Sequence, residues 1–401
     1  MLARVALAAI IAAAPAAHPR VVSADPVDHT PHVLDGIVNA ITLVGDTVVV
    51  GGSFSAVADA TRTTTYRRDN LFAFDLTTGR VLPRFAPGVG GPVHSLAAGD
   101  DGTVYVGGDF HEVDGHRARS LAQVSLATGR PVPSFRPAVS GGAVATLARR
   151  GAHLYAGGDF TRPRTALARL DATTGRADPA FTITPGDPLS RRVRVHAIAA
   201  TADRLAVDGS FTTLDGQSRP QLGLIDIGGP APKLAPWRTD AYTGKCMDVF
   251  PWYVRGLDFA PDGRYFVVVT TGGPRRGTCD SAARFETYAT GRNVKPTWVN
   301  KTGGDSLYAV SVTGSAVYVG GHQRWLDNPQ GHDSAGPGAV PREGIGAIHP
   351  RTGKALSWNP GRERGIGVKA FLANRTGLLV GSDTTRLGRE YHARIGMFPL
   401  P

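Results

Sequence analysis

One strand ending is written four times along this chain: "VVVGGSF" closes at Phe54, "VYVGGDF" at Phe110, "LYAGGDF" at Phe160 and "LAVDGSF" at Phe211. About ten residues upstream of each stands an apolar stretch: "IVNAITLVGD", "PVHSLAAGDD", "AVATLARRGA" and "RVHAIAATAD". Downstream, a third short apolar segment runs into a turn in "LFAFDLTTGR", "LAQVSLATGR" and "LARLDATTGR". Self-similarity at roughly 50 residues restricts the chain to an array whose units bury their faces against one another. Inside a unit the chemistry is that of β-structure. Val104 and Val106 flank Tyr105, the period of a strand with two distinct faces. The Thr-Gly turns put glycine where a hairpin needs positive φ, and an upstream Asp in two copies can hydrogen-bond its own turn. The Gly-Gly pair permits close backbone approach, and the following Phe supplies apolar area between adjacent sheets. No amphipathic helix of useful length is written anywhere.

Four short antiparallel strands per unit is the arithmetic of a β-propeller blade. The expectation is an all-β chain, a single β-propeller over residues 25–401. Its seven four-stranded blades fall near 35–87, 91–137, 141–185, 193–238, 254–300, 305–360 and 366–398; six or eight remain alternatives. The last unit has three strands, "VKAFLAN", "LLVGSD" and "ARIGMF". The N-terminal segment "DPVDHTPHVLDG" is expected to lend the fourth and close the ring.

Ahead of the repeats, Arg4 precedes the apolar run "VALAAIIAAA", followed by small-residue sites at "APA" (14–16) and "VSA" (22–24). That layout predicts a secretory signal peptide over residues 1–24, cleaved somewhere after 16–24. The run is too short to span a bilayer, and no later stretch approaches the length needed. The expected product is secreted, with no membrane span. Export makes a disulfide the expected state of the two cysteines, Cys246 and Cys279. The net charge is +11, and with only six lysines it is nearly all arginine. Those arginines are scattered through turn-like segments without a dense run or a basic helix. This patterning points away from nucleic acid and towards a solvated basic surface with affinity for anionic wall or matrix polymers.

The run "VYVGGDF…VDG…R…LAQVSLATGR…F" resembles the exported bacterial delta-60 repeat proteins, a β-propeller family of largely unassigned function. It covers the first four units, whereas residues 246–398 are more individual. The resemblance implies fold and export and no known reaction. "LDATTGRADPAF", "YATGRNVKPTW" and "HPRTGKALSW" are similar to the Asp-x-x-Thr-Gly…Trp docking motif of quinoprotein dehydrogenase propellers. Here Trp stands at the motif position only at Trp298 and Trp358, with Phe85, Phe135 and Phe181 elsewhere. The turn chemistry alone explains the Thr-Gly, so the motif is read as a hairpin signature.

Chemistry is sought where the repeat breaks its own rule. "VYVGGHQRWLDN" (317–328) is the strand ending of "VYVGGDFHEVDG" (104–115) with its Asp-Phe gone. His322 could serve as base, metal ligand or hydrogen-bond partner. Arg324 could clamp a carboxylate or sulfate, and Trp325 could stack on a sugar. The packing alternative has Trp325 filling the place of the missing Phe, two residues along. Arg342, Trp358, Asn359, Arg362 and Asp383 occupy comparable places in the last units. A ring would gather all of these into one arginine-rich, aromatic-floored pocket. No recognised catalytic set is present: no G-x-S-x-G elbow, H-E-x-x-H, P-loop, C-x-x-C or paired metal-ligand spacing. The expected function is binding of a glycan, cell-wall polymer or protein through a rim pocket of blades five to seven, without a metal or other cofactor. The alternative is an extracellular hydrolase or lyase on an anionic carbohydrate or lactone, or a quinoprotein-like oxidoreductase, which leaves calcium and quinone open.

Overall fold

The computed structural model describes residues 18–187, 192–247, 251–273 and 277–401. The apolar leader at residues 1–17 lies outside them. Among the described residues every regular element is a strand. Seven principal sheets follow one another along the chain. Their inner strands are Ile37–Val44, Val93–Ala98, Val144–Arg150, Arg194–Ala200, Val254–Phe259, Leu307–Val312 and Ala370–Asn374. Each pairs antiparallel with a second strand, and that with a third. Consecutive inner strands pack together, and the seventh touches the first, so the sheets stand around a central channel as blades.

The outer edge differs from the four-stranded expectation. A ladder of two or more residues forms only at Lys233–Leu234 in the fourth blade and Trp298–Lys301 in the fifth. In blades one, two, three and six the fourth strand shrinks to a single bridge, such as Phe74 with Val81 or Val124 with Pro131. Prolines at 83, 131 and 133 remove donors there, which is how proteins blunt an exposed sheet edge. In blade seven the N-terminal segment takes the place. The N–H groups of Ser23 and Val27 donate to the carbonyls of Pro399 and Met397, at 2.8 and 2.9 Å. Val22 is buried, and His18 bridges Gly314 and reaches the Asn374 carbonyl at 2.8 Å. His32–Val33, in the stretch expected to complete this blade, pairs instead with a small hairpin of blade one.

The Gly-Gly pair has two separate reasons. A Cβ on the first glycine would meet the inner strand of the following blade: at Gly107 it would come within 2.7 Å of Val144, at Gly157 within 2.5 Å of Val195, and at Gly381 within 2.5 Å of Val38. A Cβ on the second would overlap a carbonyl of its own inner strand, that of Ile37 at Gly52, Pro92 at Gly108 and Ala143 at Gly158. One glycine brings blades together; the other lets a blade close on itself.

Between later blades, indoles do the docking. The Nε1 of Trp237 donates to the Glu286 carbonyl, that of Trp298 to Pro350, and that of Trp358 to Ser23, at 3.2, 2.8 and 2.9 Å. Gly353, in the Thr-Gly turn of blade six, sits against the Trp298 ring, where a Cβ would come within 2.6 Å. The Thr-Gly is therefore more than a hairpin signature. Its glycine clears the seat for the previous blade's tryptophan.

Cys246 and Cys279 form a disulfide. It ties the segment entering blade five to the connection between that blade's second and third strands. Elsewhere backbone bridges make this link, as between Val89 and Val113 or Ser140 and Arg162. Closing the loop contributes roughly 3–4 kcal/mol on chain-entropy grounds. Replacing Gly107 with Val is expected to destabilise the protein by about 1–3 kcal/mol or more, through overpacking against Val144 and Leu147. Chemical denaturation of parent and variant measures the difference.

Candidate functional site

Six of the seven inner strands are broken in the same place. Register slips between Val38 and Ala40, Val93 and Ser95, Val144 and Thr146, Val195 and Ala197, Val254 and Gly256, and Leu307 and Ala309. A bulge leaves one residue unpaired and re-aims its side chain. The unpaired residues are Asn39, His94, Ala145, His196, Arg255 and Tyr308, and Lys369 stands in the same place in blade seven. All are half-buried. Asn39 Nδ2 donates to the Val93 carbonyl at 3.1 Å, and His196 Nδ1 reaches the Val254 carbonyl at 2.9 Å. Each thus spans to the next inner strand, so these side chains form the wall of the channel mouth.

The residue after each Gly-Gly pair stands beside this wall. Ser210 Oγ lies 3.1 Å from His196 Nε2. His322 Nδ1 lies 3.3 Å from the Tyr308 hydroxyl, and its Nε2 accepts from the Ser306 N–H at 3.3 Å. Those two contacts put the ring proton on Nδ1. Burial, and then the Arg364 charge, lowers the His322 pKa. Burial with the Arg255 charge takes His196 down to about 4. Both are therefore neutral imidazoles near pH 7.

Around His322 the cations are committed. Arg324 grips Asp305 with Nε and Nη2 at 2.9 and 3.0 Å, and Arg364 Nη2 takes the same carboxylate at 2.6 Å. The Arg324 guanidinium lies 4.4 Å from the Trp325 ring centroid. Arg362 bonds the Gly321 carbonyl at 3.2 Å and Asp383 at 2.9 Å, while Asp383 also accepts from the N–H groups of Ile366 and Gly367. Burial brings Arg362 down to about 10. Asp159 in blade three makes the equivalent bond to the Ala143 N–H, at 2.7 Å. Asp383 is thus the repeat's own turn residue, stapled further by Arg362.

The proposed pocket residues separate accordingly. His322, Arg324, Trp325, Arg362 and Asp383 share one neighbourhood with Asp305 and Arg364. Arg342 instead points back into its blade, donating to the Pro341 carbonyl at 2.6 Å and to Leu356. Arg219 does the same to Ser218 and Ala235, at 2.8 and 2.9 Å, and Arg68 binds the Arg67 carbonyl at 2.7 Å. An arginine three residues before the third strand is a brace of the repeat, legible in "YRRDNL", "QSRPQL" and "VPREGI". Trp358 is walled in between Tyr318 and Phe398, each 5.2 Å away, and offers no face to a ligand. Asn359 is half-buried beside it and makes no described contact with the cluster.

Trp325 does not replace the missing Phe. It aligns with exposed Glu112 and pairs with Pro341 in a small hairpin, half-exposed. Gln323 occupies the Phe110 position, fully buried, and neither amide atom finds a partner among the described residues. In blades five and seven the corresponding residues are Gly272 and Thr384. Phe54, Phe110, Phe160 and Phe211 therefore mark one half of the ring, and the other half has given up that aromatic.

Sequence reading missed the wall residues, although every inner strand except the third advertises one polar residue between a branched and a small one: "IVNAI", "PVHSL", "RVHAI", "YVRGL", "SLYAV", "GVKAF". It also missed Asp280, only 1% exposed, with one carboxylate oxygen unpartnered and burial lifting its pKa to about 7.

No family model matches this chain, and neither does any curated protein. Among solved structures it is similar to the computationally designed Ika8 protein, at 13% identity and a TM-score of 0.52, covering 94% of this chain and 100% of that one. It is also similar to the WD40 β-propeller domain of Doa1, at 10% identity and 0.50, covering 94% and 95%. The fold is a β-propeller. At these identities the likeness shows the fold alone, and the delta-60 resemblance rests on its motifs.

Two outcomes follow from the buried polar groups. Replacing Gln323 with Met removes an unsatisfied buried amide and is expected to raise stability by about 1–3 kcal/mol, read from the denaturant midpoint. Burial lifts Asp208 to about 8 and Asp258 to about 7, as it does Asp280. A raised acid contributes stability at low pH that is lost as pH climbs through the folded-state pKa. His196, lowered to about 4, acts oppositely below pH 6.5. The melting temperature should therefore fall from about pH 6.5 to pH 8, and Asp208→Asn should flatten that fall.

Proposed function

We propose that this propeller is a secreted binding module that takes a glycan, cell-wall polymer or protein at the channel mouth of blades five to seven. The supporting observation is the contrast between aromatic and carboxylate there. Trp325 keeps an open flank beside Arg324 and Arg364, while Asp280 and Asp305 are both sealed, each 1% exposed. A sugar or peptide can stack on the indole and bond the guanidinium edges. A sealed carboxylate has no path to a scissile bond. Propellers host many activities, so the site carries the reading and the fold does not.

Hydrolysis of an anionic carbohydrate or lactone is the second reading, favoured by Asp280 alone. Asp280, lifted to about 7 by burial, stands beside Asp305, whose carboxyl group two arginines hold, and two carboxyls in such unlike surroundings are what acid–base catalysis uses.

Export would proceed by cleavage ahead of His18 rather than after residue 24, because His18, Val22 and Ser23 belong to the ring seam. The removed leader would then be shorter than the 1–24 span read from the small-residue sites.

A glycan array probed with the mature protein, and with a Trp325→Ala/Arg324→Ala variant, tests the assignment. The parent is expected to bind a subset of glycans and the variant to lose at least tenfold. Equal binding by both would remove the mouth from consideration.

A further inference from the structure

Elsewhere in the ring, several withdrawn arginines are matched by acids, while the braces Arg68, Arg219 and Arg342 give their donors to backbone carbonyls. Arg149 pairs with Asp100, Arg169 with Asp178, Arg204 with Asp203 and Asp226, and Arg284 with Glu286. Three cations of the channel mouth also lack an acid, and these stand close enough for their charges to be felt from one to the next. Arg194, Arg255 and Lys369 have no carboxylate at ion-pair distance among the described residues. Arg255 donates to the carbonyls of Val254 and Trp252, each at 3.0 Å. Lys369 Nζ rests 3.5 Å from the Tyr308 ring centroid. These contacts orient the cations without cancelling their charge. Arg194 is exposed at the start of its inner strand, and its charge is felt at both His196 and Arg255. Arg255 is felt in turn at Lys369, which burial has already brought down to about 8.

The arrangement costs stability. Like charges converge here, and desolvation penalises Arg255 and Lys369. Two acids neighbour these cations: Asp383, felt at Lys369, is already engaged with Arg362 and two backbone N–H groups, and Asp208, felt at Arg255, is fully buried with its pKa lifted to about 8. Asp109 and Asp159 stand across the mouth in blades two and three, where their charge is felt at His94. The mouth is therefore dipolar, cationic over blades four to seven.

We propose that this cationic wall is an anion site, and that its ligand carries two or more negative charges as carboxylate or phosphate, seated between Arg255 and Lys369 with Arg194 at the entrance. The proposal rests on the reading of the channel mouth as a binding site and names the chemistry it selects. Tyr308 spaces the two cations, and its hydroxyl, held by His322, offers one further polar contact to the anion. A multiply charged anion turns three mutual repulsions into attractions, and in a confined, low-dielectric mouth each is stronger than at an open surface.

Calorimetric titration of the mature protein with inorganic pyrophosphate, citrate, an oligogalacturonide and a neutral oligosaccharide of equal length tests this. Lys369→Met, Arg255→Gln and the remote surface variant Arg80→Gln are titrated alongside. At least one anion is expected to bind the parent, and Lys369→Met and Arg255→Gln each to weaken it tenfold or more, with Arg80→Gln unchanged. Pyrophosphate against citrate and oligogalacturonide separates phosphate from carboxylate. The ligand-free melting temperature of Lys369→Met is expected to equal or exceed that of the parent, which excludes misfolding as the cause of lost binding. Anion affinity unchanged in both channel variants overturns the proposal. If only the neutral sugar binds, and Trp325→Ala abolishes it, the mouth stands and its anion chemistry falls. If no probe binds, the anion site is rejected.

Discussion

The bulge of the inner strand and the glycine facing it, in blades one to four and six, form one device on which most of the ring depends. In blades one to three a carbonyl beside the bulge, that of Ile37, Pro92 or Ala143, lies so close to the second strand that a Cβ opposite would overlap it. The same irregularity turns one side chain out of the ladder and into the channel. A single local departure from sheet geometry thus sets both the packing of a blade and the chemistry of the pore. The neighbouring glycine then admits the next blade's valine, so the spacing of the wall residues is inherited from blade-to-blade contact.

The ring built from these units is not uniform. Blades one to four carry the aromatic after the glycines. Blades five to seven replace it with Gly272, Gln323 and Thr384, and lean instead on docked tryptophans, a disulfide and arginine staples. Among the described residues Gln323 is buried without partners, and Lys369 and Arg255 bring to the wall charge that no carboxylate meets at ion-pair distance. Each departure weakens a repeat that the first four blades show can be written without it. Costs of this kind persist where a site needs them. Their concentration on one side of the channel is the strongest physical reason for seeking the ligand there.

Legibility followed the range of the interaction. Gly-Gly, Thr-Gly and alternating valines act over a few residues, so strands, turns and their repeat could be read directly. The candidate pocket was read less well. Arg342 and Trp358 look like ligand groups in isolation, yet one braces the carbonyls of its own blade and the other is sealed between Tyr318 and Phe398. Trp325 was open to being a displaced core residue, and Gln323 holds that place instead. Asp305, which organises Arg324 and Arg364, stood 19 residues from the one and 59 from the other and carried no local signal.

The order of residues alone determined an all-β repeat, the close approaches that demand glycine, and the cysteine pair that an exported chain would join. These are local matters of sterics, turn geometry and composition. Tertiary structure decided which arginines are matched and which are not, because that depends on the distance between side chains of different blades. It also decided that residues 18–27 seal the ring, and that Arg255, Tyr308 and Lys369, separated by more than fifty residues at each step, meet at one mouth. Their meeting requires the ring to close, and no stretch of sequence shorter than the whole ring contains that condition.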